Sequence, residues 1–294
     1  MNNIRVKTPG TCGELVQGMI DGNKFHITCP VNIFSCVSVS GDGSSGSSGG
    51  SRTLPSNKWK TQRAVEKTLQ LFKSTGENIS VSVSSEIPEG RGMASSTADV
   101  TGACLAVAAF LGRNIKEEEV ARIALAIEPS DGIMFRGIVM FDHLNGRVFE
   151  YLGEAPRMKI LIIDSGERID TLEFNRADHT GVHLSNRDKI LEAIELVRAG
   201  VKKKDVAMLG RGATISALCN QKIIHKPWLP GVMKAAEKFG CPGVNVAHSG
   251  SAAGVLLETG FNKIDALKSA ILTECNREFD FYETGMTGGG GVIC

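Results

Sequence analysis

The sequence predicts an α+β protein of two domains, and three observations carry that reading. The chain has 294 residues of which 42% are apolar, enough for more than one real core. A strand pattern, a glycine-rich loop and a helix pattern follow one another over residues 79–111. Strand and helix patterns then alternate irregularly to the end of the chain, as in a layered sandwich rather than a doubly wound sheet.

Taken in order, Ile4-Arg5-Val6-Lys7-Thr8 and the mostly apolar run 31–39 read as strands, with a glycine-rich turn after the first. Residues 41–50 are almost entirely glycine and serine, the composition of a flexible surface loop. A helix is expected over 59–72, with Val65, Leu69 and Phe72 at core spacing, and the alternation over 79–84 gives the strand that enters the glycine loop. Ser96 and Asp99 have the spacing of a capping box, and Val100, Cys104, Val107 and Leu111 follow as an apolar stripe. That helix therefore starts close to Ser96.

A second helix runs from about 116 to 127, with Val120, Ile123, Ala124 and Ile127 on one face and Glu118 four residues before Arg122. Pro129 stops it and leaves Ser130-Asp131-Gly132 in a turn. Strands near 137–141 and 147–151 close this half, which places a boundary near residue 155 and domains at 1–155 and 156–294. The second half reads as a strand at 159–164, helices near 185–199, 203–218 and 229–239, strands near 244–247 and 253–257, a helix near 262–275 and a closing strand.

Composition excludes several classes of function. Lys+Arg 33 against Asp+Glu 32 gives a net charge of +1, so there is no electrostatic footprint for nucleic acid or an anionic membrane. No stretch approaches the roughly 20 apolar residues of a spanning helix, and the N-terminus lacks a signal-peptide apolar region, so the chain is expected in the cytoplasm. The eight cysteines are far apart, with no Cys-x-x-Cys pair, and read as buried thiols.

The chemistry begins at Ile87-Pro88-Glu89-Gly90-Arg91-Gly92-Met93-Ala94-Ser95-Ser96-Thr97-Ala98-Asp99. Glycine lets backbone approach an anion and adopt positive φ, and the first turn of a helix offers unpaired N–H groups and a positive dipole end. The segment is neither a Walker A loop, since no Gly-Lys-Ser/Thr follows, nor a dinucleotide fingerprint. It resembles the second motif of the GHMP kinases, the superfamily of galactokinase, homoserine kinase and mevalonate kinase, which runs Pro-x-Gly-x-Gly-Leu-Gly-Ser-Ser-Ala-Ala. Met93, Ala94 and Thr97 depart from it, and alanine at position 94 is strained wherever that backbone needs positive φ.

The resemblance implies an N-terminal domain like ribosomal S5 domain 2, a ferredoxin-like C-terminal domain, and ATP held on Pro88, Gly90, Arg91, Gly92, Met93, Ala94, Ser95, Ser96 and Thr97. It also gives meaning to Pro9-Gly10-Thr11-Cys12-Gly13-Glu14, which matches the first motif and places Cys12, Gly13 and Glu14 at the acceptor. Thr11 stands where mevalonate kinase carries a lysine that supports its aspartate. Glu128-Pro129-Ser130-Asp131-Gly132 resembles the acidic segment, so that Ser96 and Glu128 would hold Mg²⁺ while Asp131 faces the acceptor hydroxyl. Residues 246–256 match the third motif, with Ser249 and Gly250 near acceptor and phosphate, and Gly288 to Gly291 read as a terminal flap.

Pro9 to Gly18, Glu128 to Gly132, Ala213 to Gln221 and His248-Ser249-Gly250 together resemble one branch, the L-threonine kinases of cobalamin biosynthesis and salvage. That implies ATP-dependent phosphorylation of a small hydroxy amino acid. Glu14 and Asp131 are fit to receive its ammonium. Homoserine kinase and a non-catalytic nucleotide sensor remain as alternatives. A homodimer is compatible with the resemblance, which does not fix the oligomeric state.

Overall fold

A computed structural model describes residues 2–41, 52–75, 78–167 and 178–294. The glycine-serine tract from residue 42 lies outside them. The described residues form one antiparallel sheet with helices packed on it. In chain order the elements are β1 (Asn2–Ile20), β2 (Asn23–Gly41), α1 (Trp59–Leu71), β3 (Ile79–Ser85), α2 (Ser95–Phe110), α3 (Glu117–Leu125), a 3₁₀ turn (Gly132–Met134), β4 (Ile138–Phe141) and β5 (Val148–Gly153). There follow β6 (Lys159–Asp164), α4 (Thr180–Ser185), α5 (Arg187–Lys203), α6 (Val206–Asn220), α7 (Leu229–Lys238), β7 (Gly243–Val246), β8 (Ala252–Leu257), α8 (Ile264–Cys275), β9 (Asp280–Gly285) and β10 (Val292–Ile293).

The first hairpin differs from the sequence expectation. Instead of a turn at Gly10–Gly13, β1 continues through it, paired with β2 and interrupted by register shifts at Pro9/Gly10, Thr11/Glu14 and Glu14/Val16. An extra residue on one strand bends the pair without ending it, and glycine tolerates the bend. The true turn is Asp21-Gly22, both at positive φ (49° and 80°), as a two-residue hairpin of right-twisted strands requires.

The sheet runs β5-β4-β2-β1-β7-β8-β6-β9, with β3 paired to β2 and β10 to β1. The two halves of the chain meet where β1, paired with β2 along one edge, takes β7 on its other edge at the pair Glu14↔Val246. Candidate acceptor residues therefore lie at the seam. α2 is buried on nearly all sides, because it packs against β1, β2, α1 and α3. Its alanines and Gly102 allow this; a Cβ on Gly102 would stand 2.8 Å from Val37 Cγ2. The glycines of the C-terminal segment are structural: Gly289 N–H donates to Gly137 O at 2.9 Å and Gly290 N–H to Ile133 O at 2.7 Å, and β10 then pairs with β1.

Candidate functional site

The loop between β3 and α2 has the backbone its glycines foretell. Gly90, Gly92 and Ala94 have φ of 73°, 76° and 57°, and Ala94 is the left-handed residue from which α2 starts. The strain expected of alanine there is present, on the order of 1–2 kcal/mol. The capping box is not formed. α2 has no side-chain cap, because its two supposed members make longer-range contacts: Ser96 Oγ donates to Glu128 Oε1, while Asp99 accepts from Ser35 Oγ (2.5 Å) and Lys58 Nζ (2.9 Å). The first-turn N–H groups are thus left for an anion. The buried Ser95 hydroxyl, without a partner, lies in the same turn.

These residues fit nucleotide phosphates and Mg²⁺. Ser96 and Glu128 are hard oxygen donors brought together across 32 residues of sequence, and Lys60 Nζ holds the other carboxylate oxygen at 2.5 Å. A pocket of about 230 Å³ between α1 and α2 is lined by Lys58, Trp59, Lys60, Gly90, Ser95 and Ser96 among others. Lys58 pairs with Glu89 as well as Asp99. Neither lysine was legible as a site residue, since Lys58 reads as an ordinary charge just before a helix and Lys60 as one in its first turn.

The three motifs interlock at backbone level. Thr11 N–H donates to Met93 O (3.0 Å), and Ala252 N–H donates to Arg91 O (3.2 Å). A Cβ on Gly92 would stand 2.7 Å from Ala247 Cβ and 2.8 Å from Gly250 Cα. Gly92 and Gly250 therefore let the second and third motifs close on each other. Several predicted contacts can act only through the main chain. Met93 and Thr97 are buried, and the Arg91 guanidinium turns to Asp164 (Nε to Oδ2 3.1 Å), which also accepts from Ser251 Oγ at 2.6 Å. Pro88 is half-buried at the entrance to the loop.

On the acceptor side, Gly13 (φ 53°) presses against the backbone of Val246 and Ala247. The Cys12 thiol points into the core toward Asn245, whose amide Nδ2 donates to Cys12 O, and burial pushes that thiol far up. Glu14, 3% exposed, faces His26 Nδ1 at 3.9 Å; Asp131 faces the same nitrogen at 3.3 Å. Burial, then the neighbouring Asp131, raises the Glu14 carboxyl well above the usual carboxylate range. His26 stacks on His143 with ring centres 3.8 Å apart, and His248 lies 4.4 Å from His26. Ser249 is half-buried beside the buried Gly250. His248 was visible within the third motif; His26 lies in β2 and His143 in the turn after β4, and neither position gave a signal.

The turn between α3 and β4 joins the two sides. Ser130 N–H donates to His143 O (3.1 Å) and Ser130 Oγ to Glu128 O (3.0 Å), which fixes a bend with Glu128 facing Ser96 and Asp131 facing His26. Two carboxylates three residues apart thus serve two different neighbourhoods.

Residues 60–135 match the family described as GHMP kinases N terminal domain. The chain is 32% identical over 264 residues to L-threonine kinase of Citrobacter freundii, covering 88% of each chain. It belongs to the GHMP kinases. L-threonine kinase of Salmonella typhimurium is 30% identical over 274 residues, which cover 92% of this chain and 88% of that one. The crystal structure of homoserine kinase from Cytophaga hutchinsonii has a TM-score of 0.75 at 17% identity, covering 100% of this chain and 98% of that one, and so shares the fold. This GHMP kinase is accordingly an ATP-dependent phosphotransferase with an alcohol group as acceptor. No helix among its described residues is long and apolar enough to cross a membrane.

Proposed function

We propose that this GHMP kinase transfers the γ-phosphoryl group of ATP to the side-chain hydroxyl of L-threonine, giving O-phospho-L-threonine and ADP, as a cytoplasmic step of cobalamin biosynthesis. The observation that carries the reading is the bend at Glu128–Asp131, which gives one carboxylate to the helix-start serine and the other to a buried polar pocket. The two threonine kinase relatives, each matched over most of its length, supply the substrate.

In this reading ATP phosphates lie on the N–H groups of residues 90–96, and Ser96 with Glu128 would hold Mg²⁺, whose charge would offset that of the phosphates. Lys60, paired with the other Glu128 oxygen, adds a fixed positive charge beside them. The amino acid places its ammonium between Glu14 and Asp131 and its carboxylate on the backbone of Ser249 and Gly250. An incoming ammonium is the cation that allows the buried Glu14 to ionise. Asp131 then orients the hydroxyl and takes its proton as the phosphoryl group passes; because that transition state is loose, positioning and charge supply most of the effect. The division into domains at residue 155 is supported by two of the cores: one is drawn wholly from residues before it and one wholly from residues after it.

A mass-spectrometric screen tests this. The chain is incubated with ATP, Mg²⁺ and a panel of hydroxy amino acids and other GHMP kinase substrates. Phosphate transfer to threonine is expected. Transfer to homoserine alone would reassign the acceptor, and transfer to none would favour a nucleotide sensor.

A further inference from the structure

Five of the chain's six histidines, His26, His143, His179, His183 and His248, line one cavity of about 270 Å³ beside the acceptor carboxylates. Only His179 and His183, four residues apart, are neighbours in sequence; the fold brings the other three to them. Within this group a ring nitrogen from each of His26, His143 and His248 lies within 4.8 Å of the other two, close enough for a single ion.

We propose that His26, His143 and His248 form a binding site for a divalent transition cation of the Zn²⁺ class, distinct from the oxygen-ligand pair Ser96–Glu128. Three observations support it. His26 and His143 are 3% and 5% exposed, yet His26 Nε2 and His143 Nδ1 have no hydrogen-bond partner. A buried polar atom left unpaired is destabilising, a cost that coordination removes. Second, the other nitrogen of His26 faces Asp131 at 3.3 Å. A carboxylate on the far side of an imidazole is the usual outer partner of a metal-bound histidine, since it fixes the tautomer that leaves Nε2 free to coordinate. Third, three imidazoles opening on a cavity leave a fourth position for water or a ligand, a donor set that suits Zn²⁺, Co²⁺ or Ni²⁺ and not Mg²⁺.

The His26 and His143 planes lie within 8° of parallel, so their in-plane lone pairs do not converge. Coordination turns one ring about its outer side-chain torsion, which is broad and two-fold in histidine.

The test is titration of the untagged full-length chain with Co²⁺, without ATP or amino acid, followed by absorption spectroscopy. One equivalent per chain is expected, with the intense d–d absorption of a four-coordinate ion, displaced by Zn²⁺ and unaffected by excess Mg²⁺. His143→Asn and His248→Asn should each weaken uptake at least about tenfold, and Asp131→Asn, acting through His26, by roughly the same factor. No stoichiometric Co²⁺ or Zn²⁺ uptake by the wild-type chain overturns the proposal, as does uptake unchanged in the His143→Asn/His248→Asn double variant. Since the readout is metal uptake, its failure leaves the assignment of the kinase reaction untouched.

Discussion

On the phosphate-loop side of the cleft each buried or half-buried carboxylate faces a cation: Asp99 faces Lys58, Glu128 faces Lys60 and Asp164 faces Arg91. On the acceptor side Glu14 and Asp131 share one histidine, and Glu14 Oε2 has no partner. The first arrangement is a scaffold whose charges are satisfied among themselves. The second is held away from its own optimum, as a site is when its ligand supplies the missing charge. Removing one member of a pair should therefore damage the nucleotide side, whereas neutralising a carboxylate on the acceptor side should help the fold and harm the chemistry.

The largest effect is expected at Asp131. Asp131→Asn should lower kcat by about 10²–10⁴-fold while ATP binding persists, because an amide can orient a hydroxyl but cannot take its proton. A changed acid limb of the pH–rate profile marks a base; a raised KM for the amino acid with the profile kept marks an orienter. Normal kcat, KM and pH dependence in Asp131→Ala would remove the residue from the site.

Glu128→Gln comes next, with a kcat loss on the order of 10²-fold and a weakened response to Mg²⁺ titration. Normal turnover with a normal titration would leave Glu128 as a helix-end residue held by Lys60. Third is Gly92→Val. The new side chain meets Ala247 and Gly250 rather than open space, and valine at φ 76° adds strain. ATP affinity should fall at least about tenfold, a loss of about 1.4 kcal/mol, and thermal stability should fall with it, so calorimetric titration and melting read the same event. Unchanged affinity in a folded variant would sever the loop from nucleotide binding.

The smallest effect, Glu14→Gln, has opposite signs for fold and function. The Glu14 carboxyl binds its proton more tightly in the folded chain than in the unfolded one. Its contribution to stability is therefore complete below the ordinary carboxylate range and is lost as pH rises through the folded-state value. Glutamine has no such proton to lose. Melting scans should show the variant more stable than wild type near pH 7, with the difference shrinking toward about pH 4, and its KM for the amino acid raised. A variant less stable than wild type at neutral pH would mean that Glu14 is well paired after all.

Most helices and strands were legible because their apolar spacing is dictated by local geometry; β6 over Lys159–Asp164 coincides with the expected strand residue for residue. The backbone of the loop before α2 was legible for the same reason, since positive φ at Gly90 and Gly92 and the strain at Ala94 are properties of the chain itself. What long-range partners decide was not legible. The Ser96–Asp99 spacing of a capping box gave way to Glu128 and Lys58, residues far along the chain, and the turn expected at Gly10–Gly13 became a bulged strand because β2 and β7 pair there. His26, His143, Lys58 and Lys60 have no periodicity or motif; they join the candidate site only when the sheet closes.

Side-by-side kcat/KM values for threonine, serine and homoserine, with saturating ATP and Mg²⁺, separate a pocket proposed to serve threonine from one that serves another hydroxy amino acid. Threonine should lead, with homoserine lowest because its hydroxyl, one carbon further out, misses Asp131. A kcat/KM for homoserine equal to or above that for threonine would contradict the threonine reading.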